Sequence, residues 1–258
     1  MTDADRDPDP DPDSATDSGR EHGDADTVRG ETADWPVSLR GVTESVVTTL
    51  GPNDRWNCAA LGLHAGRDGD ENAARNGDAA AEADRTPTGD AHEGPGTDDG
   101  AGPDRPATAR TWGRTRTRRN FRERGAGYVQ FVNDPVVFTE AALSIREESS
   151  PVLDAAAAWV RVDVAEIDTG EDGGTEWVEW ALFPRESVIR DRVVPTIHRG
   201  HGAVIEATVA ASRLDVAAYD TDALCDRLSY LEGVIERCGG SREREAFRRL
   251  VEIVGRRW

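Results

Sequence analysis

Val42-Thr43-Glu44-Ser45-Val46-Val47-Thr48-Thr49-Leu50 is β-branched and alternates polar with apolar residues. That period of two is the signature of a strand with one buried face. Gly51-Pro52-Asn53-Asp54 follows and reads as a turn. Residues 55–65, carrying Asn57-Cys58-Ala59-Ala60-Leu61-Gly62, then return as a second strand. A hairpin of this kind near the start of the foldable chain predicts a β-rich domain.

Downstream, a strand resumes over 109–113, and Thr117 is positioned to cap a short helix over Arg118–Arg124. Tyr128–Val132 reads as a strand closed by Asn133-Asp134-Pro135, and 136–143 reads as a helix. Ala157–Ile167 and Glu176–Phe183 pair as strands around a Gly170–Gly174 turn, with Trp177 and Trp180 on different faces as sheet-packing residues. Leu224, Leu228, Leu231 and Ile235 recur at helical spacing before Gly239-Gly240. Ser241 can cap a last helix with Phe247, Leu250, Val251 and Val254 on its apolar face.

Charge divides the chain. The 258 residues carry a net charge of −19. Residues 1–34 contribute −9 of it and residues 67–106 contribute −7. All 31 basic residues are arginine. An acidic chain without lysine fits a high-salt cytoplasm, where dense carboxylates keep protein in solution. The two acidic segments lack large apolar side chains and cannot offset chain entropy by burial. The expected map is a disordered tail over 1–34, a folded domain over 35–215 interrupted by a disordered insertion at 66–108, and a helical hairpin over 216–258.

Several function classes are disfavoured. Cys58, Cys225 and Cys238 are odd in number and form no CxxC, so neither a disulfide framework nor a cysteine-rich zinc site is indicated. No apolar run reaches the roughly 20 residues of a membrane span, and the Asp-rich N-terminus is the opposite of a signal peptide. A soluble, cytoplasmic protein is expected. Glycine fingerprints for dinucleotides and phosphate loops are missing, as is a nucleophile elbow. His198 and His201 lie three apart, but no cysteine is near and Glu206 is the one obvious carboxylate, so no metal is expected there.

The densest chemistry lies in Arg110–Arg124, which holds seven arginines and one glutamate. Hydroxyls and guanidiniums at a strand-to-helix junction suit a phosphate: the helix start offers N–H groups, threonine an O–H, and arginine a charged fork. Two other readings compete, a solvated face paired with carboxylates and a nucleic-acid patch with Trp112 and Phe121 for stacking.

A resemblance favours the phosphate. Glu44–Thr49, then Trp56-Asn57-Cys58-Ala59-Ala60-Leu61-Gly62, then Thr115, Thr117 and Asn120 in a Thr-x-Thr-x-x-Asn element, then Tyr128–Pro135, resemble in order an archaeal family of split-barrel proteins that bind flavin mononucleotide (FMN). His198-Arg199-Gly200 before Ala203–Ala207, and Ala211-Ser212-Arg213-Leu214, continue the likeness. The chain departs from the pattern in its long insertion, in Cys58-Ala59-Ala60 where Ala-Pro is usual, and in His198 where Asn is usual.

The resemblance implies an α+β fold, an FMN-binding split β-barrel of Greek-key type with a C-terminal helical region. It implies that Thr115, Thr117 and Asn120 hold the flavin phosphate with Arg116 or Arg118 nearby, that Asn57, Cys58, Ala59 and Ala60 run along the ring edge, and that Arg199 approaches from the second half of the chain, across a dimer interface. It also implies a homodimer with flavin between the subunits, and a small-molecule redox substrate whose identity is open. A flavin module without turnover stays open beside the oxidoreductase.

Overall fold

The computed structural model describes residues 33–65, 106–256 and 258. The acidic tail over 1–32 and most of the insertion, 66–105, lie outside the described residues.

Strand β1, Val42–Leu50, and strand β2, Trp56–His64, form the expected hairpin, in register from Val42↔His64 to Leu50↔Trp56. Its turn is fixed by two local bonds: Gly51 N–H donates to the Arg55 carbonyl at 2.8 Å, and Arg55 N–H to Asn53 Oδ1 at 3.3 Å. Asp54 accepts a left-handed φ of 55° there, a conformation that Asp tolerates better than most residues.

The remaining strands are β3 (Ala107–Trp112), β4 (Ala126–Val132), β5 (Arg146–Glu148), β6 (Ala156–Asp172) and β7 (Thr175–Ile189). Pairing runs β1-β4-β6-β7-β3-β2, and the β1–β2 ladder returns to the start. Six antiparallel strands therefore close a barrel, which leaves no open edge around it. The short β5 adds to β2 from outside through Trp56↔Glu148, Asn57↔Glu147 and Cys58↔Arg146. Strands β6 and β7 are longer than the sequence pattern indicates: β6 continues through polar residues to Asp172, past the end of the β4 pairing at Ala126↔Asp163, and β7 continues beyond Phe183 through Pro184–Ile189, which pair with Val162–Ala158.

The barrel interior holds Val47, Leu61, Leu63, Val129, Val160, Val178, Trp180 and Leu182. One end is plugged by helix α1, Arg116–Arg124, whose Phe121 meets Trp180 edge-on at 5.3 Å between ring centres. Trp180 Nε1–H donates to Thr111 Oγ1 at 2.9 Å, so its one polar atom is satisfied in the core. Gly127 lies against this plug: a Cβ there would sit 3.0 Å from the Phe121 ring and 3.2 Å from the Thr48 carbonyl oxygen.

The outer face of β1 and β2 is covered by helix α2, Pro135–Leu143, through a cluster of Val46, Cys58, Phe138, Ala141 and Leu153. Asp134 caps α2 by accepting from Val136 N–H at 2.9 Å, with Pro135 at the first helical position. Beyond it, α3 (Arg199–Ala211), α4 (Thr221–Cys238) and α5 (Ser241–Val254) share a second core. That core contains Leu224, Leu228, Leu231, Ile235, Phe247 and Leu250, the stripe read from the periodicity. Ser241 opens α5 rather than capping it; Gly240 is the N-cap, and its N–H donates to Glu243 Oε2 at 2.7 Å. No described helix is long and apolar enough to cross a membrane.

Candidate phosphate groove at the barrel end

Helix α1 begins one residue after Thr115, which is the N-cap: its hydroxyl oxygen accepts from Arg118 N–H at 3.1 Å. The sequence expectation put the cap at Thr117. That residue is instead in the first turn and buried, because Phe121 must face the barrel and carries Thr117 inward with it. Arg116 and Thr117, the first two helical residues, have no carbonyl within the helix for their N–H groups.

A groove of ≈ 640 Å³ opens along the solvent side of this helix start. Arg114, Thr115, Arg116, Arg118, Arg119, Arg122 and Glu123 line it, with Glu176 reaching in from β7. Three of the guanidiniums are engaged by carboxylates. Arg116 meets Glu147 on β5 at 2.6 Å, Arg118 meets Glu176 at 3.1 Å, and Arg122 forms a two-pronged pair with Glu166 at 2.9 and 3.1 Å. The hydrogen bond from Arg122 holds the Glu166 carboxyl below the usual carboxylate range. Exposed pairs of this kind contribute at most about 1 kcal/mol, so they can open for a stronger anion. Arg114 has no partner among the described residues, and Arg119 bonds only the Asn120 side chain, at 3.2 and 3.1 Å. Positive charge is therefore left over at a helix N-terminus in a chain of net charge −19.

The structure sorts the eight expected site residues into separate places. Thr115 and Arg116 lie in the groove. Asn57, Thr117 and Asn120 do not line it; they form a buried brace behind it. Asn120 Nδ2 donates to Thr49 Oγ1 at 2.9 Å, Asn57 Nδ2 to Thr117 Oγ1 at 3.4 Å, and Asn57 is the cross-strand partner of Thr49. Cys58 is buried under α2, and burial pushes its thiol pKa up to about 11. Ala59 packs half-buried against the barrel core.

Arg199 does not line the groove. It opens α3 behind the N-cap His198, is exposed, and does not pair with Glu206, which is bound by Arg227. Its neighbour Gly200 is demanded by packing: a Cβ there would lie 2.5 Å from Gly239 Cα. Among the described residues no three His, Cys, Asp or Glu side chains are grouped to hold a metal.

Arg114, Arg119, Arg122, Glu147 and Glu176 were not singled out as site residues. The arginines were visible as part of a dense patch. The carboxylates pair across 31 and 58 residues of chain, and no local spacing announces such partners.

A family model described as the N-terminal domain of a protein of unknown function (DUF447) matches residues 102–191. A second model of the same family matches residues 198–252, so the two span more than half of the chain. The chain belongs to the DUF447 family. An FMN-bound DUF447 protein from Methanosarcina mazei superposes with a TM-score of 0.60 at 20% identity, over 84% of this chain and 97% of that one. The likeness places this DUF447 chain in the split-barrel fold. The styrene monooxygenase flavin reductase of Pseudomonas putida S12 matches at 10% identity and a TM-score of 0.33, over 59% of this chain and 81% of that one. Flavoredoxin from Methanosarcina acetivorans matches at 9% identity and a TM-score of 0.35, over 64% and 79%. No curated protein matches the chain.

Proposed function

We propose that this DUF447 protein binds FMN, with the flavin phosphate in the groove at the start of α1. The observation that carries the reading is the excess of guanidinium charge around the Thr115 cap, where Arg114 and Arg119 have no carboxylate partner among the described residues. A phosphate there would meet the N–H groups of Arg116 and Thr117, the Thr115 hydroxyl, the Arg114 guanidinium and Nη1 of Arg119, whose Nε and Nη2 already donate to Asn120 Oδ1. Charge-assisted hydrogen bonds contribute about 1.5–3 kcal/mol each, so three supply a large part of the roughly 8 kcal/mol of a micromolar ligand. The FMN-bound DUF447 protein of Methanosarcina mazei supports FMN as the phosphate bearer.

Bound flavin would supply the redox chemistry, and the chain would supply position and charge. We read the protein as a cytoplasmic, salt-adapted flavin oxidoreductase acting on a small molecule, and as a homodimer. Arg110, Arg116, Arg118 and Arg122 are each held by a glutamate, which weighs against a nucleic-acid surface.

Purified protein in molar KCl tests the reading. Added FMN should bind with a shifted visible band and quenched fluorescence, and anaerobic reduction followed by candidate acceptors should show turnover. Binding without turnover from any donor would leave a flavin module; absence of binding would remove the proposal.

A further inference from the structure

The start of α3 is held by a group that titrates. His198 is the N-cap, and its Nδ1 accepts from His201 N–H at 2.9 Å. A ring nitrogen that accepts carries no proton, so this imidazole is neutral with its proton on Nε2. The caps of the other helices are of a different kind. Thr115 caps α1 with a hydroxyl, and Asp134 and Asp220 cap α2 and α4 with carboxylates. Those oxygens remain acceptors throughout the pH range in which histidine changes charge. Nδ1 of His198 does not.

A second partner for the same nitrogen lies on α5. Glu243 Oε1 is 3.9 Å from His198 Nδ1, and Oε2 of that carboxylate accepts from Gly240 N–H at 2.7 Å, closing the start of α5. The Glu243 side chain is 14% exposed and that of His198 44%. The carboxylate is therefore held in place, and solvent protons reach the imidazole. Gly200, two residues on, is seated on Gly239, where a Cβ would lie 2.5 Å from Gly239 Cα. The two helix starts thus stay close, and a small rotation of the ring is enough to exchange partners.

The other charged groups around this junction have fixed places. Arg199 and His201 are on α3 itself, with Arg199 exposed. Arg244 donates to the Gly239 carbonyl at 2.6 Å, in the turn between α4 and α5. Arg242 is drawn to Asp134 and Glu245. Glu243 is the carboxylate paired with the ring.

We propose that His198 is a proton-operated clasp: neutral, it caps α3; protonated, it releases His201 N–H and donates from Nδ1 to Glu243 Oε1. Two effects set the sign. Protonation removes the accepting lone pair and places a positive charge at the positive end of a helix, and both favour the neutral, capped form. The Glu243 carboxylate favours the cation. The cap is therefore present at higher pH and lost as pH falls, and Glu243 sets how far it must fall. Asp191–His198 run exposed up to this residue, so the clasp decides how firmly the first turn of α3 is held where that segment enters it. None of this depends on a bound flavin.

The test is amide exchange by ¹H–¹⁵N NMR on the full chain in molar KCl, corrected for the intrinsic pH dependence of exchange. In the wild type, protection of the His201 amide should fall roughly fivefold between pH 8 and pH 5, the worth of one cap. The Asp222 amide, which donates to Asp220, should keep its protection. His198→Asn supplies a cap that does not titrate, so His201 should stay protected at both pH values. His198→Ala should leave it unprotected at both. Glu243→Gln keeps an acceptor for Gly240 N–H and should move the wild-type midpoint to lower pH. A His201 amide equally protected at pH 5 and pH 8 in the wild type, or a fall that survives His198→Asn, would overturn the clasp. A midpoint that Glu243→Gln leaves in place or raises would do the same, since the protonated ring would then have no partner on α5.

Discussion

Asn57 Nδ2 donates to Thr117 Oγ1 at 3.4 Å, joining β2 to α1 across 60 residues of chain, with both side chains buried. Together with Asn120 and Thr49 this contact pins the plug helix to the barrel mouth. The two hydroxyl positions of the Thr-x-Thr-x-x-Asn element therefore do different work. Thr115 faces the groove, and Thr117 with Asn120 sets where the groove is.

That division has a measurable consequence. Asn120→Ala removes the donor to the fully buried Thr49 hydroxyl and should cost about 1–3 kcal/mol in urea unfolding. Thr115→Ala, which removes a cap, should cost about 1 kcal/mol but lower FMN affinity more than Asn120→Ala does. The opposite ranking would place Asn120 in the ligand contact and Thr115 outside it.

Among the arginines, the two with no carboxylate partner among the described residues should matter most. Arg119→Ala and Arg114→Ala are each expected to weaken FMN binding by roughly tenfold, the worth of one charge-assisted bond. Arg110→Ala is expected to leave it unchanged, because Arg110 stacks on Trp177 at 4.4 Å and pairs with Glu179 away from the groove. Isothermal titration on the three variants decides between a directed groove and a diffuse basic field, which would weaken all three alike.

Cys58 should be inert toward thiol reagents at pH 8 in the native protein, since its pKa lies near 11 through burial. Labelling should reach only Cys225 and Cys238, which are half-buried. The folded state holds this proton more tightly than the unfolded chain, whose thiol titrates at 9.0. The associated stability is complete below pH 9 and declines as pH rises toward 11. Urea midpoints for wild type and Cys58→Ala across that range should converge; parallel curves would show that Cys58 does not titrate as described.

Gly200→Ala should destabilise the helical layer by about 1–3 kcal/mol through overpacking, because no Cβ fits above Gly239. Thermal unfolding should register the loss. An unchanged midpoint would mean that α3 can slide on α4.

The same contact shows what a sequence can and cannot carry. Gly200 was read as part of a cofactor motif and Gly239-Gly240 as a helix stop; only the fold reveals that they face each other. The β1–β2 hairpin was legible because alternation and turn chemistry are local, and the α4 stripe because Leu224, Leu228, Leu231 and Ile235 repeat on one helical face. Strand β5 was not, since Arg146-Glu147-Glu148 has no apolar pattern and is a strand only by pairing with β2. Thr117 was misjudged as a cap because Thr115 and Thr117 are chemically alike, and only the inward pull of Phe121 tells them apart. The groove itself was visible as an arginine cluster, whereas its neutralising partners Glu147, Glu166 and Glu176 come from three distant strands.

The most direct test compares FMN with riboflavin, which share a ring system and differ by the phosphate. Fluorescence titration in molar KCl should show FMN bound at least about a hundredfold more tightly, the worth of two charge-assisted contacts. Thr115→Ala combined with Arg119→Ala should erase most of that gap while leaving riboflavin affinity alone. Equal affinities for the two flavins in the wild type, or a gap that survives both substitutions, would contradict a phosphate site at the start of α1.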